Sequence, residues 1–392
     1  MPILIIISFL LAPAYAVRFP IFNLPTDVLM VWMFLFWLIF FIWLLVKKQL
    51  SEFLSSIKSL DKKFLIFICL FFLSGLISLL INDIDRAKLG QFIVLFLQPI
   101  PTFFIARYIF KQSPKATYYL LLTTYSLLAI AGIFAVIQYF TLSGLPQEFW
   151  GNSVEPKRAL AFFIHPNFYA LWSAPLLALL IPDLGQRLKN LKKDWCYIAA
   201  WILGAIGLLL SFSRAGWLGL SVAVLIYLIF AADKKIRKIA LGAVIVMIIV
   251  IVSTPNLRWR FILPFYGERS ASSRTELWQS GWKGIKQSPI FGLGLNGYSN
   301  NYRTLQTDTT LPDHNFPHNI FLDLWVEIGL IGLVSFIGIT FIVLRQGFKN
   351  RNDAIKLGVA LFFIALLVQG QIDNPYFKND LALVFWTVLA LI

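Results

Sequence analysis

Long runs of apolar residues separated by short polar connections dominate the chain. A helix needs about 20 consecutive apolar residues to cross the hydrocarbon core of a bilayer. By that measure the runs predict spans over 2–17, 27–46, 63–81, 89–109, 117–140, 166–182, 196–211, 215–232, 239–254, 318–343, 357–372 and 380–392. The expected fold class is all-α, a polytopic membrane protein of about twelve transmembrane helices. Residues 1–392 are expected to form a single integral membrane domain. The first run ends in Ala14-Tyr15-Ala16, which imitates a signal-peptidase site, but no basic segment precedes it. It is therefore read as a retained helix.

Two connections exceed the others in length, 141–165 and 255–317. The second is the only stretch large enough for chemistry outside the bilayer, and long loops in compact proteins are usually functional. The chain shows no internal repeat and no low-complexity tract.

Composition agrees with this reading. Hydrophobic residues make up 59% of the 392 positions and charged residues 14%, where a soluble chain carries about 25% charged residues. The formal charge of +15 does not gather into one patch or arm, so nucleic-acid binding is not expected. The basic residues lie instead in the connections. With the N-terminus inside, every inner connection is basic: Lys47 with Lys48, Lys111 with Lys115, Arg187 with Lys189, Lys234 with Arg237, and Arg345 with Lys349. The short outer loops, with Arg18, Arg86, Lys88, Lys157, Arg158, Arg214 and Lys378, are poorer in positive charge, which is the positive-inside rule. Both termini are then cytoplasmic, and the two long connections face outward. The two cysteines, Cys69 and Cys196, form neither a disulfide framework nor a zinc site.

Few residues in such a chain can carry chemistry. Arg214 lies in a tight outer hairpin, Ser211-Phe212-Ser213-Arg214-Ala215-Gly216-Trp217, against the trend of positive charge. It reads either as an interfacial Arg reaching lipid headgroups or as a guanidinium fork for a phosphate. In the large loop, Ser273-Arg274-Thr275-Glu276 has the pattern of a capping box and predicts a helix start. Trp278, Trp282 and Ile285 then give one apolar face until Pro289, as in a helix lying in the membrane interface. The loop is basic overall, with Arg258, Arg260, Arg269, Arg274, Lys283, Lys286 and Arg303 against Glu268, Glu276, Asp308 and Asp313. For most of these charges adhesion to anionic lipid headgroups suffices. Arg274, held at a helix start, is the exception.

Gly292-Leu293-Gly294-Leu295-Asn296-Gly297 matches G-x-G-x-x-G, but no strand–turn–helix unit surrounds it. A tight turn after the interface helix is expected there rather than a nucleotide site. His314 and His318 are separated by Pro317, so they do not share a helical face as zinc ligands, and no metal site is expected. His318 is expected in the first turn of the next span, where the helix dipole favours a neutral, basic imidazole; an interfacial His bonded to backbone is the bland alternative. Asn319, Asp323 and Glu327 follow on one face of that span, and intramembrane carboxylates are functional candidates by default. They orient a cationic group, pair with an Arg or stabilise packing, and for Glu327, the deepest, packing is the favoured reading. His165, at the start of the sixth span, caps the helix or lines the cavity.

Taken in order, Ser213-Arg214-Ala215-Gly216-Trp217, Arg274-Thr275-Glu276-Leu277-Trp278, Pro289-Ile290-Phe291-Gly292-Leu293-Gly294 and Pro317-His318-Asn319 with Glu327-Ile328-Gly329 resemble the O-antigen ligase and polymerase superfamily of bacterial membrane glycosyltransferases. The resemblance is strongest over about 200–335 and departs at Ala215-Gly216, where that family often has Gly directly after the Arg. It implies a GT-C-like fold in the bacterial inner membrane with a periplasmic active site. It further implies cofactor-free, metal-independent, inverting transfer of a glycan from undecaprenyl diphosphate to an acceptor. Arg214 and Arg274 would bind the diphosphate, and His318 would act as base or orient the acceptor. Asn319, Asp323, Glu327, His165 and His314 would support them. A ligase transferring to lipid A core is favoured by the chain length and the single large outer loop. A polysaccharide polymerase using the same donor is the runner-up, and a transporter or lipid-linked sugar flippase is the rival of another class.

Overall fold

A computed structural model of the chain describes residues 1–13, 17–21, 24–81, 83–152, 156–255, 258 and 269–392. The Ala14-Tyr15-Ala16 pattern and the loop charges Arg260 and Glu268 lie outside the described residues. The helices are α1 (Pro2–Leu10), α2 (Val28–Val46), α3 (Leu50–Lys58), α4 (Lys62–Leu80), α5 (Arg86–Phe92), α6 (Pro99–Gln112), α7 (Pro114–Thr141) and α8 (Pro166–Arg187). They continue as α9 (Leu191–Leu210), α10 (Arg214–Phe230), α11 (Lys234–Ser253), α12 (Arg269–Gln287), α13 (Gly297–Leu305), α14 (Ile320–Lys349), α15 (Ala354–Gln369) and α16 (Asn379–Leu389). A short antiparallel hairpin, β1 (Arg18–Ile21) with β2 (Leu24–Asp27), is the only sheet among the described residues.

The protein is thus an all-α polytopic membrane protein. Seven helices among the described residues are long and apolar enough to span a bilayer: α2, α4, the continuous Arg86–Gln112 stretch, α7, α8, α9 and α14. The shorter α10, α15 and α16 are apolar as well. Local chemistry sets several of the starts. The side chains of Asp27, Asp61 and Asp85 accept the N–H groups of Met30, Phe64 and Lys88 at the heads of α2, α4 and α5, relieving donors that have no partner within the helix. The first apolar run is helical only to Leu10 and gives way to the hairpin.

Two compact units emerge. One comprises residues 1–123, 274–346 and 370–392. In it Trp386 of α16 packs against Phe71 of α4 and Phe103 of α6, and its indole N–H donates to Tyr376, whose hydroxyl donates to the Leu95 carbonyl. The other comprises residues 124–273 and 347–369. There α15 approaches α8 so closely that a Cβ on Gly358 would stand 2.2 Å from the Leu179 carbonyl. Small residues permit such backbone contact between membrane helices. At the C-terminal end of α8, Arg187 bonds Asp183 and Asp194 at 2.6 and 3.0 Å and lies over the Tyr197 ring.

α14 is broken. Gly329 has φ +74°, which interrupts the helical ladder between Val326 and Leu330. The segment 290–293 fills the gap: the Leu293 N–H donates to the Val326 carbonyl at 2.6 Å, and the Leu330 N–H donates to the Ile290 carbonyl at 2.9 Å. Non-helical backbone at membrane depth is tolerated where neighbouring protein satisfies its polar groups. Gly292 also has φ +74°; a Cβ there would meet the Val326 carbonyl at 2.6 Å, and one on Gly329 would meet the Ile290 carbonyl at 2.3 Å. The glycine-rich turn expected after the interface helix is therefore a lock between the segment after α12 and the span.

Candidate active site

Within the first unit the connection between α15 and α16 organises the candidate residues. Four consecutive positions on it accept hydrogen bonds. The Ile320 N–H donates to the Gly370 carbonyl (2.7 Å), the Asn319 amide to Gln371 (3.2 Å) and the Arg274 Nε to Ile372 (3.2 Å). At the fourth, Nδ1 of His318 lies 3.0 Å from Oδ1 of Asp373. Asp373 also receives the Asn374 N–H, and the Asn374 side chain in turn receives the N–H groups of Tyr376 and Phe377. The loop is thus a folded platform anchored through Tyr376 in the core of the unit.

A carboxylate at Nδ1 keeps the ring proton there and leaves Nε2 as the basic nitrogen. The His318 side chain is 30% exposed and that of Asp373 6%, so the dyad offers its imidazole outward while its carboxylate stays dry. Burial alone would raise the Asp373 pKa. The hydrogen bond and charge of His318, the charge of Lys378 and the Asn374 N–H outweigh it and hold the carboxyl below the ordinary range. Arg274 donates to the residue next to Asp373, so the guanidinium and the imidazole are tethered to adjacent positions of one platform.

His318 is not in the first turn of the span. It precedes the helix, with φ +56°, and Asn319 caps α14 by accepting the N–H groups of Phe321 and Leu322. The imidazole is held by Asp373 rather than by a place in the helix. The His318 carbonyl takes a long bond of 3.5 Å from the Trp278 indole. His314 meets the His318 ring edge-to-face at 5.9 Å and the Tyr302 ring at 5.7 Å. Burial, reinforced by the charge of His318 and opposed by Asp313, lowers the His314 pKa.

The remaining loop residues are largely structural. α12 begins at Arg269, ahead of Ser273, so the four residues read as a capping box lie inside the helix. Glu276 bonds both the N–H and the hydroxyl of Thr307 instead. Although burial raises its pKa, the Thr307 bonds prevail and lower it. The apolar face read as Trp278, Trp282 and Ile285 is split. Ile285 joins a buried cluster with Leu277, Tyr298, Tyr302 and Val326, while Trp278 and Trp282 remain partly exposed. Arg303 is committed to a bidentate pair with Asp313, and Lys283 to the Leu305 carbonyl.

The carboxylates on α14 divide. Glu327 accepts the N–H groups of Asn296 and Tyr298, and its carbonyl accepts the Ser78 hydroxyl. It clasps the head of α13 to the span, the packing role favoured for it. Asp323 is fully buried, and neither of its oxygens has a hydrogen-bond partner among the described residues.

Arg214 and His165 belong to the second unit. Arg214 opens α10 after an elbow in which Phe212 has φ +50° and the Ser213 N–H donates to the Ser211 hydroxyl. His165 caps α8, its Nδ1 accepting the Asn167 N–H at 3.0 Å.

Asp373 was not among the residues singled out in the sequence. Its signal is the polar run Gly370-Gln371-Ile372-Asp373-Asn374-Pro375, whose first part was read as the end of a span; α15 in fact stops at Gln369.

A family model described as O-antigen ligase matches residues 198–337. An uncharacterized protein of Haemophilus influenzae is 26% identical to the chain, over 80% of this chain and 78% of the relative. An O-antigen ligase of Pseudomonas aeruginosa is 26% identical, over 56% of this chain and 49% of its own length. The exopolysaccharide production protein ExoQ of Rhizobium meliloti is 31% identical, over 32% of each chain.

Proposed function

We propose, from the premise that this chain is a member of the O-antigen ligase superfamily, that it transfers a glycan from undecaprenyl diphosphate to lipid A core outside the bacterial inner membrane. The observation that carries this reading is the His318–Asp373 dyad, tethered beside Arg274 on one platform.

Such a donor already holds a good leaving group, so the protein has two tasks: to direct the acceptor hydroxyl and to neutralise the departing diphosphate. Nε2 of His318 receives the hydroxyl proton as the acceptor oxygen bonds to the anomeric carbon from the face opposite the leaving group. The bond from that carbon to the diphosphate oxygen breaks, and its electron pair leaves with the diphosphate. The configuration inverts. Asp373 stabilises the imidazolium formed at His318. Arg274 offers a fixed positive charge to the diphosphate, and Arg214 is assigned the same role on the strength of the family resemblance. None of these steps calls on a cofactor.

The name of the ExoQ relative speaks of exopolysaccharide production, which supports the second reading, a polymerase that lengthens a glycan on the same donor. Reconstituted transfer separates the two. Purified protein is given undecaprenyl diphosphate-linked glycan and lipid A core in EDTA, and product is read by gel shift. Glycan on the core, lost in His318→Ala, supports the ligase. Chain growth on the carrier without any core supports the polymerase. A folded protein that transfers to no acceptor would shift the reading to transport.

A further inference from the structure

The elbow that presents Arg214 is built by a residue that the sequence alone leaves among ordinary outer-loop charges. We propose that Arg158 is a positioning residue for Arg214, tying the α9–α10 elbow to the first turn of α8; this rests on the diphosphate role proposed for Arg214. The Arg158 Nε donates to the Ser211 carbonyl at 3.0 Å, and its Nη2 donates to the Asn167 side-chain oxygen at 2.6 Å. A planar guanidinium sends these N–H groups in fixed, diverging directions, which lets one side chain bridge two elements.

The backbone reinforces the bridge. The Ala159 N–H donates to the Leu210 carbonyl at 2.8 Å, and the Arg158 N–H donates to the Phe149 carbonyl at 3.0 Å. The acceptor on α8 is itself held, because the Asn167 N–H donates to Nδ1 of His165. A continuous chain of contacts thus runs from His165 through Asn167 and Arg158 to Ser211, three positions before Arg214.

Ser211 stands at the C-terminal end of α9, where carbonyls lack helical partners and the helix end attracts positive charge. Directly after it Phe212 occupies the left-handed region, a conformation that a bulky residue keeps only when its surroundings hold it. The Phe212 ring stacks on Tyr139, and Lys157 bonds the Tyr139 carbonyl. The segment around Arg158 therefore braces the elbow from both sides. A lysine would keep the charge but could not bridge the two acceptors in one plane.

The test measures the Kd for undecaprenyl diphosphate-linked glycan, the KM for acceptor and the thermal midpoint in nanodiscs. The variants are Arg158→Ala, Arg158→Lys, Asn167→Ala and Arg214→Ala, with the double variant Arg158→Ala/Arg214→Ala. Arg158→Ala is expected to weaken donor binding roughly tenfold to a hundredfold, with acceptor KM unchanged. Arg158→Lys should resemble it, and Asn167→Ala should shift donor binding in the same direction by less. In the Arg214→Ala background, Arg158→Ala should add nothing. Unchanged donor binding in a folded Arg158→Ala, or an equal effect with and without Arg214, overturns the proposal. Should Arg158→Ala fail to fold, the same two readings come from Arg158→Lys and Asn167→Ala. Donor binding lost in Arg214→Ala but kept in Arg158→Ala strikes only the inference about Arg158, whereas full binding by Arg214→Ala strikes the role of Arg214 itself.

Discussion

Nδ1 of His318 and Oδ1 of Asp373 stand 3.0 Å apart, although 55 residues separate them in the chain. The contact joins the residue just before α14 to the connection between α15 and α16, and it gives the imidazole its orientation. Asp373→Asn preserves the shape and removes the charge that stabilises an imidazolium. It should lower kcat by about 100-fold or more with little change in donor KM. Near-wild-type kcat in a folded Asp373→Asn protein would exclude the dyad from the chemistry.

The same carboxyl has a pH signature. Its pKa in the folded protein lies below the ordinary value of 3.8, so the unfolded chain binds the proton more tightly. The stability contributed by Asp373 is therefore complete above about that ordinary value and drains away as pH falls from it towards the lower folded value. Thermal midpoints measured through this acid range should fall more steeply for the wild type than for Asp373→Asn. Parallel curves would contradict the assignment.

Arg274 is held by a backbone carbonyl, and its proposed partner is the donor diphosphate. Arg274→Ala should leave folding intact and nearly abolish transfer. Arg274→Lys should recover little, because a lysine lacks the bidentate fork. Robust transfer by Arg274→Ala would remove the residue from the site.

Asp323 makes the opposite prediction for stability. A buried carboxyl without a hydrogen-bond partner costs about 1–3 kcal/mol or more, so Asp323→Leu, which removes the polar group at similar size, should raise the thermal midpoint. A stabilised variant that has lost transfer would assign Asp323 a functional role; a stabilised variant with full transfer would free it of one.

Gly292 and Gly329 test the lock. Either substitution by Ala meets a carbonyl at 2.6 Å or closer and must hold a positive φ. A loss of at least about 1–3 kcal/mol is expected from the backbone conformation alone. Unchanged thermal unfolding of Gly329→Ala would show that the break in α14 is not required.

Much of this was legible in the sequence. Apolar run length and the basic connections gave the class, because burial in lipid constrains composition directly. The turn at Gly292 and Gly294, the His165 cap and the packing role of Glu327 followed from local chemistry. Asp373 did not: the polar run around it marks only a connection, and its meaning comes from a partner far away in the chain. Likewise Arg158 looked like any outer-loop charge until Ser211 and Asn167 were seen to share it. The break in α14 was hidden because Gly329 sits in an apolar stretch that reads as uninterrupted helix.

The platform at 370–373 lies beyond residue 337, where the resemblance to the O-antigen ligase model ends. The border of that match is therefore not a border of assembly. A fragment cut to the matched residues would carry His318 and Arg274 without the carbonyls and carboxylate that orient them, and a chimera exchanging only that stretch would put a foreign imidazole on a native support. Moving the arrangement of His318 and Arg274 into a relative requires moving the connection between α15 and α16 along with it.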